Sequence, residues 1–347
     1  MQTKETIRIS PQKILIIKPS SLGDIVHSLP FLDAIKSRFP EAKIDWVVAR
    51  GLHTFLEDHP FINRLWIMDK DQWKQPRHLR NTIREVTGFI RGVRSQQYDV
   101  AVDLSGLLRS GLISMATGAG HRLGFKESDE GSPLFYTHKI TGGSEIHAID
   151  RYLKIAAFMG CDTATIRYPF APFPENPEIC RNLPAEYGVM APSAGKAANR
   201  WPSHRFGQLA ARLPVPLVVI SSSADAPLAR EVAGSSEGNA VSIAGRTRLK
   251  ELIPVIKNAR FFISNDTGPM HIAAACKVPV FAIFGPANPI RTGPYGRIHT
   301  VIQEDLDCIP CYRKKACDHW ECMNNLTVDK VFHIIRDRLH EMGYEFL

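Results

Sequence analysis

The residues best suited to chemistry sit in short polar turns that follow apolar runs. Ser264-Asn265-Asp266-Thr267-Gly268-Pro269-Met270-His271 leaves one such run and enters a helix near Pro269, a favoured first helical position. The backbone N–H groups within residues 267–270, where Pro269 itself has none, are then expected to lack intrahelical partners, and with the helix dipole they form an anion site suited to a diphosphate. His271 falls in the first turn, within reach of phosphate or ribose. The same types also fit an ordinary helix start, with Asp266 as N-cap and His271 packed in the core.

A second turn, Ser20-Ser21-Leu22-Gly23-Asp24, follows the apolar run 13–18. Gly23 permits a tight turn. Asp24 at its end can take a proton from an attacking hydroxyl, or it can serve only to start the next helix. No Gly-x-Gly-x-x-Gly follows this run, which argues against a dinucleotide-dependent dehydrogenase.

The loop from Ser193 through Lys196 to Arg200 places two cations where they can neutralise phosphate, and Trp201-Pro202 then opens a helix. Asp225, after three serines, suits the ribose hydroxyls or a helix cap. The loop 285–296 (GPANPIRTGPYG) is stiffened by Pro and Gly, so its backbone can approach a ligand closely. Arg109 and Arg122 are either anion contacts or solvated surface charges. Cys308, Cys311, Cys317 and Cys322 crowd one segment, a spacing open to tetrahedral metal but looser than paired zinc knuckles, and equally open to a reduced or partly disulfide-bonded loop.

The elements that must position these turns alternate. Strands are expected at 13–18, 42–49 and 98–104, with helices at 25–39 and 107–115 between or after them. The run 171–177 (APFPENP) is a stiff linker. Strands then recur at 187–191, 216–221, 259–264 and 278–284, with helices at 203–213, 226–233, 250–258 and 269–276. This predicts an α/β protein with two Rossmann-like, doubly wound domains facing across a cleft, ligands lying at the carboxyl ends of the strands. The expected divisions are 1–170, a linker at 171–184, 185–327, and a C-terminal helix at 328–347 that packs back on the first domain.

At 347 residues, with 44% hydrophobic and 22% charged, the chain is long enough for two cores. Its formal charge of +8 favours an anionic partner. The polar start lacks the apolar core of a secretory signal, and no run approaches the ~18 apolar residues of a spanning helix. A cytoplasmic protein is expected, peripheral on the inner face of the cytoplasmic membrane. The basic stretch 69–94, with Trp66 and Trp73 nearby, suits an anionic leaflet. It also suits single-stranded nucleic acid, which nothing else supports.

Five segments together carry a family resemblance: 18–30 (KPSSLGDIVHSLP), 103–110 (DLSGLLRS), 199–202 (NRWP), 265–275 (NDTGPMHIAAA) and 284–296 (FGPANPIRTGPYG). In this order, at strand ends, they resemble glycosyltransferase family 9, the ADP-heptose:lipopolysaccharide heptosyltransferases. The segment 122–140 looks closer to heptosyltransferase I than II. The resemblance implies a GT-B fold and inverting, metal-independent transfer from ADP-heptose to the Kdo region of a lipid A-linked acceptor, with no cofactor. Asp24 matches the family's base, and Asp266, Thr267, Gly268 and His271 match its donor-diphosphate loop. Ser193, Lys196, Arg200 and Asp225 join the donor side, and Ser21, Gly23, Arg109 and Arg122 the acceptor side. The chain departs from the family at Asp225, where a glutamate is usual, and at Asn199, where a lysine is common. Lys196 or Arg200 would then supply the missing charge.

Overall fold

The computed structural model of the chain describes residues 6–69, 79–311, 317 and 319–344. Two compact units divide it between Pro172 and Phe173, inside the proline-rich run.

The first unit is built on six parallel strands: β1 Lys13–Ile17, β2 Lys43–Ala49, β3 Arg64–Met68, β4 Val100–Asp103, β5 His121–Phe125 and β6 His138–Ile140. Their order is β3-β2-β1-β4-β5-β6, with Ile14 against Ile44 on one side and Val100 on the other. Ile14, Leu15, Ile16 and Ile17 are all fully buried, because helices cover both faces and leave no polar side for alternation to mark. Leu22–Arg38 follows β1 and packs against Ala148–Phe158. Leu79–Ser95 precedes β4, and Leu108–Ala116 follows it. Sequence periodicity missed β3, β5 and β6. They are short, partly exposed strands: β3 carries an apolar run of only four residues, and β5 and β6 mix polar with apolar positions. The basic stretch is helical from Leu79; Trp73 and its neighbours lie outside the described residues.

The second unit repeats the plan with β7 Gly188–Ala191, β8 Leu217–Val219, β9 Ala240–Ser242, β10 Phe262–Asn265, β11 Val280–Phe284 and β12 Thr300–Gln303. The order is β12-β11-β10-β7-β8-β9, again all parallel. Met190, Trp201, Phe206, Phe261 and Phe281 form its core. Val331, Phe332, Ile335 and Leu339 of the helix Val328–Glu341 join the same cluster. The C-terminal helix therefore commits its buried face to the second unit's core. The Trp201 indole N–H donates to the Leu326 carbonyl at 2.7 Å and ties the start of that tail to β7's exit loop.

In each sheet the order reverses at one point, between β1 and β4 and between β7 and β10. Connections leave in opposite directions there, so the strands' carboxyl ends open a crevice.

Candidate functional site

In the first unit the crevice is built around a buried ion pair. Lys18, one residue beyond β1, is only 5% exposed. Its Nζ lies 3.1 Å from Asp24 Oδ1 and 3.4 Å from the Leu104 carbonyl beyond β4, so it bridges the two strands at the reversal. Asp24 is the third residue of the helix capped by Ser21, and its Oδ2 accepts the Ser21 backbone N–H at 2.7 Å and the Ser21 hydroxyl at 3.0 Å. The Tyr152 hydroxyl donates to Oδ1 at 3.3 Å. Asp24 takes the helix-start role through a capping box, and its carboxylate also stands at the reversal point paired with Lys18. Burial pushes its carboxyl up, but the Lys18 ammonium and the Ser21 N–H outweigh this and hold it below the usual range. Burial pulls the Lys18 ammonium down, yet Tyr152 and Asp24 together raise it. Both groups are therefore charged at neutral pH.

Asp103 organises the β4 end of the same crevice. Its Oδ1 accepts the N–H groups of Ser105 and Gly106 at 2.8 and 3.0 Å, and its Oδ2 accepts the Tyr136 hydroxyl at 2.7 Å. Burial raises its pKa, opposed by those donors. Gly106 is required in this turn: its φ is +69°, and a Cβ would stand 2.5 Å from Ser128 Oγ. Arg109 follows, half-buried in the first turn of Leu108–Ala116.

Arg122 lies elsewhere. It pairs with Ala101 toward the amino end of β5, and its guanidinium donates to the carbonyls of Phe135 and Ala119, both at 2.8 Å. It is not brought to the carboxyl-end crevice. Gly23 is buried within the helix beside Asp24, whereas Ser21 is exposed. Ser20, Ser21 and Leu22 line a cavity of about 350 Å³, together with Arg50, Gly51, Met68 and Asp69 from the ends of β2 and β3. Arg50 Nε pairs with Asp69 Oδ2 at 2.7 Å. Sequence reasoning missed these residues. The only available signal was a strand ending in Arg50-Gly51, and β3, which supplies Asp69, was not recognised.

In the second unit the crevice is held by neutral amides. Asn265, fully buried at the end of β10, donates to the Pro192 carbonyl at 2.6 Å and accepts the Trp201 N–H at 3.0 Å. It thereby fixes the loop carrying Ser193, Lys196, Asn199 and Arg200. Asn199 Nδ2 donates to Asp266 Oδ2 at 3.0 Å. Thr267, rather than Asp266, is the N-cap of Gly268–Ala275, and Pro269 occupies its first turn. His271 is 6% exposed, so most of its ring is enclosed. Asp225 sits at the N-cap of Ala226–Gly234, but its carboxylate makes no capping bond. It instead meets Arg200 Nη2 at 3.8 Å and the Ser222 hydroxyl at 3.2 Å. Arg200 Nε also donates to the Ala194 carbonyl at 2.8 Å, while Lys196 is exposed. Ser193 Oγ is buried without a hydrogen-bond partner. The loop after β11 closes against the same region, since a Cβ on Gly285 would stand 3.0 Å from the Ala198 carbonyl. Loops following β7, β8, β10 and β11 thus converge around the start of Gly268–Ala275.

Cys308, Cys311, Cys317 and Cys322 are free thiols, and burial with the nearby other three raises Cys322. Among the described residues no group of three or more His, Cys, Asp or Glu side chains is arranged to hold a metal ion. Nor is any described helix long and apolar enough to cross a membrane.

Comparison with known proteins places these two crevices in a family. Residues 86–320 match glycosyltransferase family 9 (heptosyltransferase). Lipopolysaccharide heptosyltransferase 1 of Pseudomonas aeruginosa is 29% identical over 323 residues, covering 88% of each chain. Lipopolysaccharide heptosyltransferase 2 of Salmonella typhimurium is 26% identical, covering 95% of this chain and 99% of its own. The crystal structure of Escherichia coli heptosyltransferase WaaC with ADP superposes with a TM-score of 0.74 at 23% identity, covering 94% of this chain and 99% of that one.

Proposed function

The chain belongs to glycosyltransferase family 9, and from that premise we propose that it transfers heptose from ADP-heptose to the Kdo region of a lipid A-linked acceptor, with inversion at the anomeric carbon. The observation that carries the reading is Asp24: a carboxylate held ionised at the β1–β4 reversal, part-exposed, beside a cavity of about 350 Å³. Its similarity to lipopolysaccharide heptosyltransferases supports lipopolysaccharide as the acceptor class, and the bound ADP of WaaC supports the donor.

In this reading an acceptor hydroxyl held by the first unit attacks the anomeric carbon of a donor held by the second. Asp24 takes the hydroxyl proton, the new C–O bond forms, and the bond to the diphosphate breaks with its electron pair leaving on ADP. Arg50 and Arg109 face the acceptor's negative charge. Backbone N–H groups of Thr267 and Gly268, with Lys196 and Arg200, meet the charge of the departing diphosphate, and no metal or other cofactor is required. Asp225 and the ribose hydroxyls complete the donor site, and Asn199 orients Asp266 rather than touching phosphate. The enzyme works in the cytoplasm, against the inner face of the membrane that holds its acceptor. The exposed arginines 84, 91 and 94 of Leu79–Ser95 support that placement. No nucleic acid takes part.

The test is a transfer assay with ADP-heptose and a Kdo-bearing lipid A acceptor. Asp24→Ala is expected to lose about 10²–10⁴-fold in turnover while its thermal stabilisation by ADP persists. Near-normal turnover would remove Asp24 as base. Stabilisation by UDP or GDP in preference to ADP would redirect the donor assignment to another nucleotide sugar.

A further inference from the structure

Four donors converge on the Asp24 carboxylate, and they differ in freedom. Three are fixed by the fold: Lys18 Nζ, the Tyr152 hydroxyl and the Ser21 backbone N–H. The fourth, the Ser21 hydroxyl, belongs to an exposed residue that lines the neighbouring cavity. The two buried donors both go to Oδ1, and the Lys18 ammonium also lies over the Tyr152 ring at 5.2 Å. Tyr152 is itself held by stacking on Phe125, whose ring also carries the Arg151 guanidinium at 4.3 Å. From β4 the Leu104 carbonyl accepts from Lys18. An ammonium is a donor and cannot satisfy the free N–H groups of a helix start, so this buried lysine is not there to cap the helix, whose capping box Ser21 and Asp24 already form.

We propose that Lys18 and Tyr152 are positioning residues for Asp24, locking Oδ1 so that Oδ2 is the edge offered to the acceptor hydroxyl. This rests on the reading of Asp24 as the base. During transfer the acceptor hydroxyl takes the place of the Ser21 hydroxyl at Oδ2 and delivers its proton there. Lys18 stays charged throughout. Its field opposes protonation of the carboxylate, so it returns the proton to solvent once product leaves. Removing that field makes the carboxylate easier to protonate, and the activity lost on acidification is then lost at higher pH.

The experiment is the pH profile of kcat/KM for the full chain and its Lys18→Met, Lys18→Arg, Tyr152→Phe and Asp24→Asn variants, with ADP affinity measured alongside. Lys18→Met is expected to move the acid limb upward by about 1–3 pH units and to lower kcat, with ADP affinity unchanged. Tyr152→Phe moves the limb less, in the same direction. Lys18→Arg keeps the charge and keeps the limb near its wild-type place. Should Lys18→Met fail to fold, Tyr152→Phe and Lys18→Arg still decide the matter. An inactive Asp24→Asn beside Lys18→Met and Tyr152→Phe with wild-type limbs would overturn the positioning role and leave the base in place. An active Asp24→Asn would overturn the base reading itself.

Discussion

The two units share one topology and stabilise its reversal point in opposite ways. Between β1 and β4 the first unit encloses a lysine and pairs it with Asp24 at 3.1 Å. Between β7 and β10 the second unit places Asn265, whose amide joins the Pro192 carbonyl to the Trp201 N–H. Both devices pull neighbouring strand exits together. A neutral amide does so with matched donors and acceptors. A buried ion pair does so at a desolvation cost and leaves a charged carboxylate facing solvent. The lesson is that the open α/β sheet provides the crevice, and the side chain at the reversal decides whether a neutral amide or an ion pair holds it.

This contrast can be broken at either end. The largest structural effect is expected from Asn265→Leu, which leaves the Pro192 carbonyl and the Trp201 N–H buried and unpaired. A loss of about 3 kcal/mol in stability is expected, together with weaker ADP binding, read by chemical denaturation and calorimetry. Unchanged ADP affinity would show that Asn265 does not shape the donor loop. Gly106→Ala comes next. Its left-handed φ and the close Ser128 hydroxyl predict about 2 kcal/mol of destabilisation, and acceptor-side activity should suffer while ADP binding does not. Stability equal to wild type would mean the Asp103 turn can relax.

The smallest effect is also the sharpest. Asp24 has a depressed pKa in the folded chain, so the unfolded state takes up its proton first as pH falls. Its contribution is fully present above the ordinary carboxyl value of 3.8 and is lost as pH drops through the lower folded value. The melting-temperature gap between wild type and Asp24→Asn should therefore be constant near neutrality and shrink below pH 3.8. The gap for Asn265→Leu, which involves no ionisation, should not follow that curve. If both gaps shrink together, the charged and neutral devices are not distinct.

Much of this arrangement was legible in the residue pattern. Continuous apolar runs marked β1, β4, β10 and β11, because a strand covered on both faces must be apolar at every position. Turns with Gly, Pro and small polar residues marked where those strands end. The signal failed where burial is partial or brief: β3, β5 and β6 were not recognised as strands, and with β3 went Asp69 and the cavity beside Ser21. Arg122 was misplaced for a related reason. Without β5's register, nothing in the sequence shows that this arginine lies at the amino end of its strand, bonded to main-chain carbonyls.

Side-chain roles divide along the same line. Sequence alone determined that Asp24, Asp225 and Asp266 stand at strand exits next to helix starts, since that depends only on local order along the chain. It left open whether each merely caps a helix. Tertiary structure decided, because the deciding partners are far away in sequence: Tyr152 for Asp24, Arg200 for Asp225 and Asn199 for Asp266. The charge state of Asp24 belongs to the fold for the same reason. Lys18 is only six residues away, but its ammonium meets the carboxylate because the fold buries it between the ends of β1 and β4.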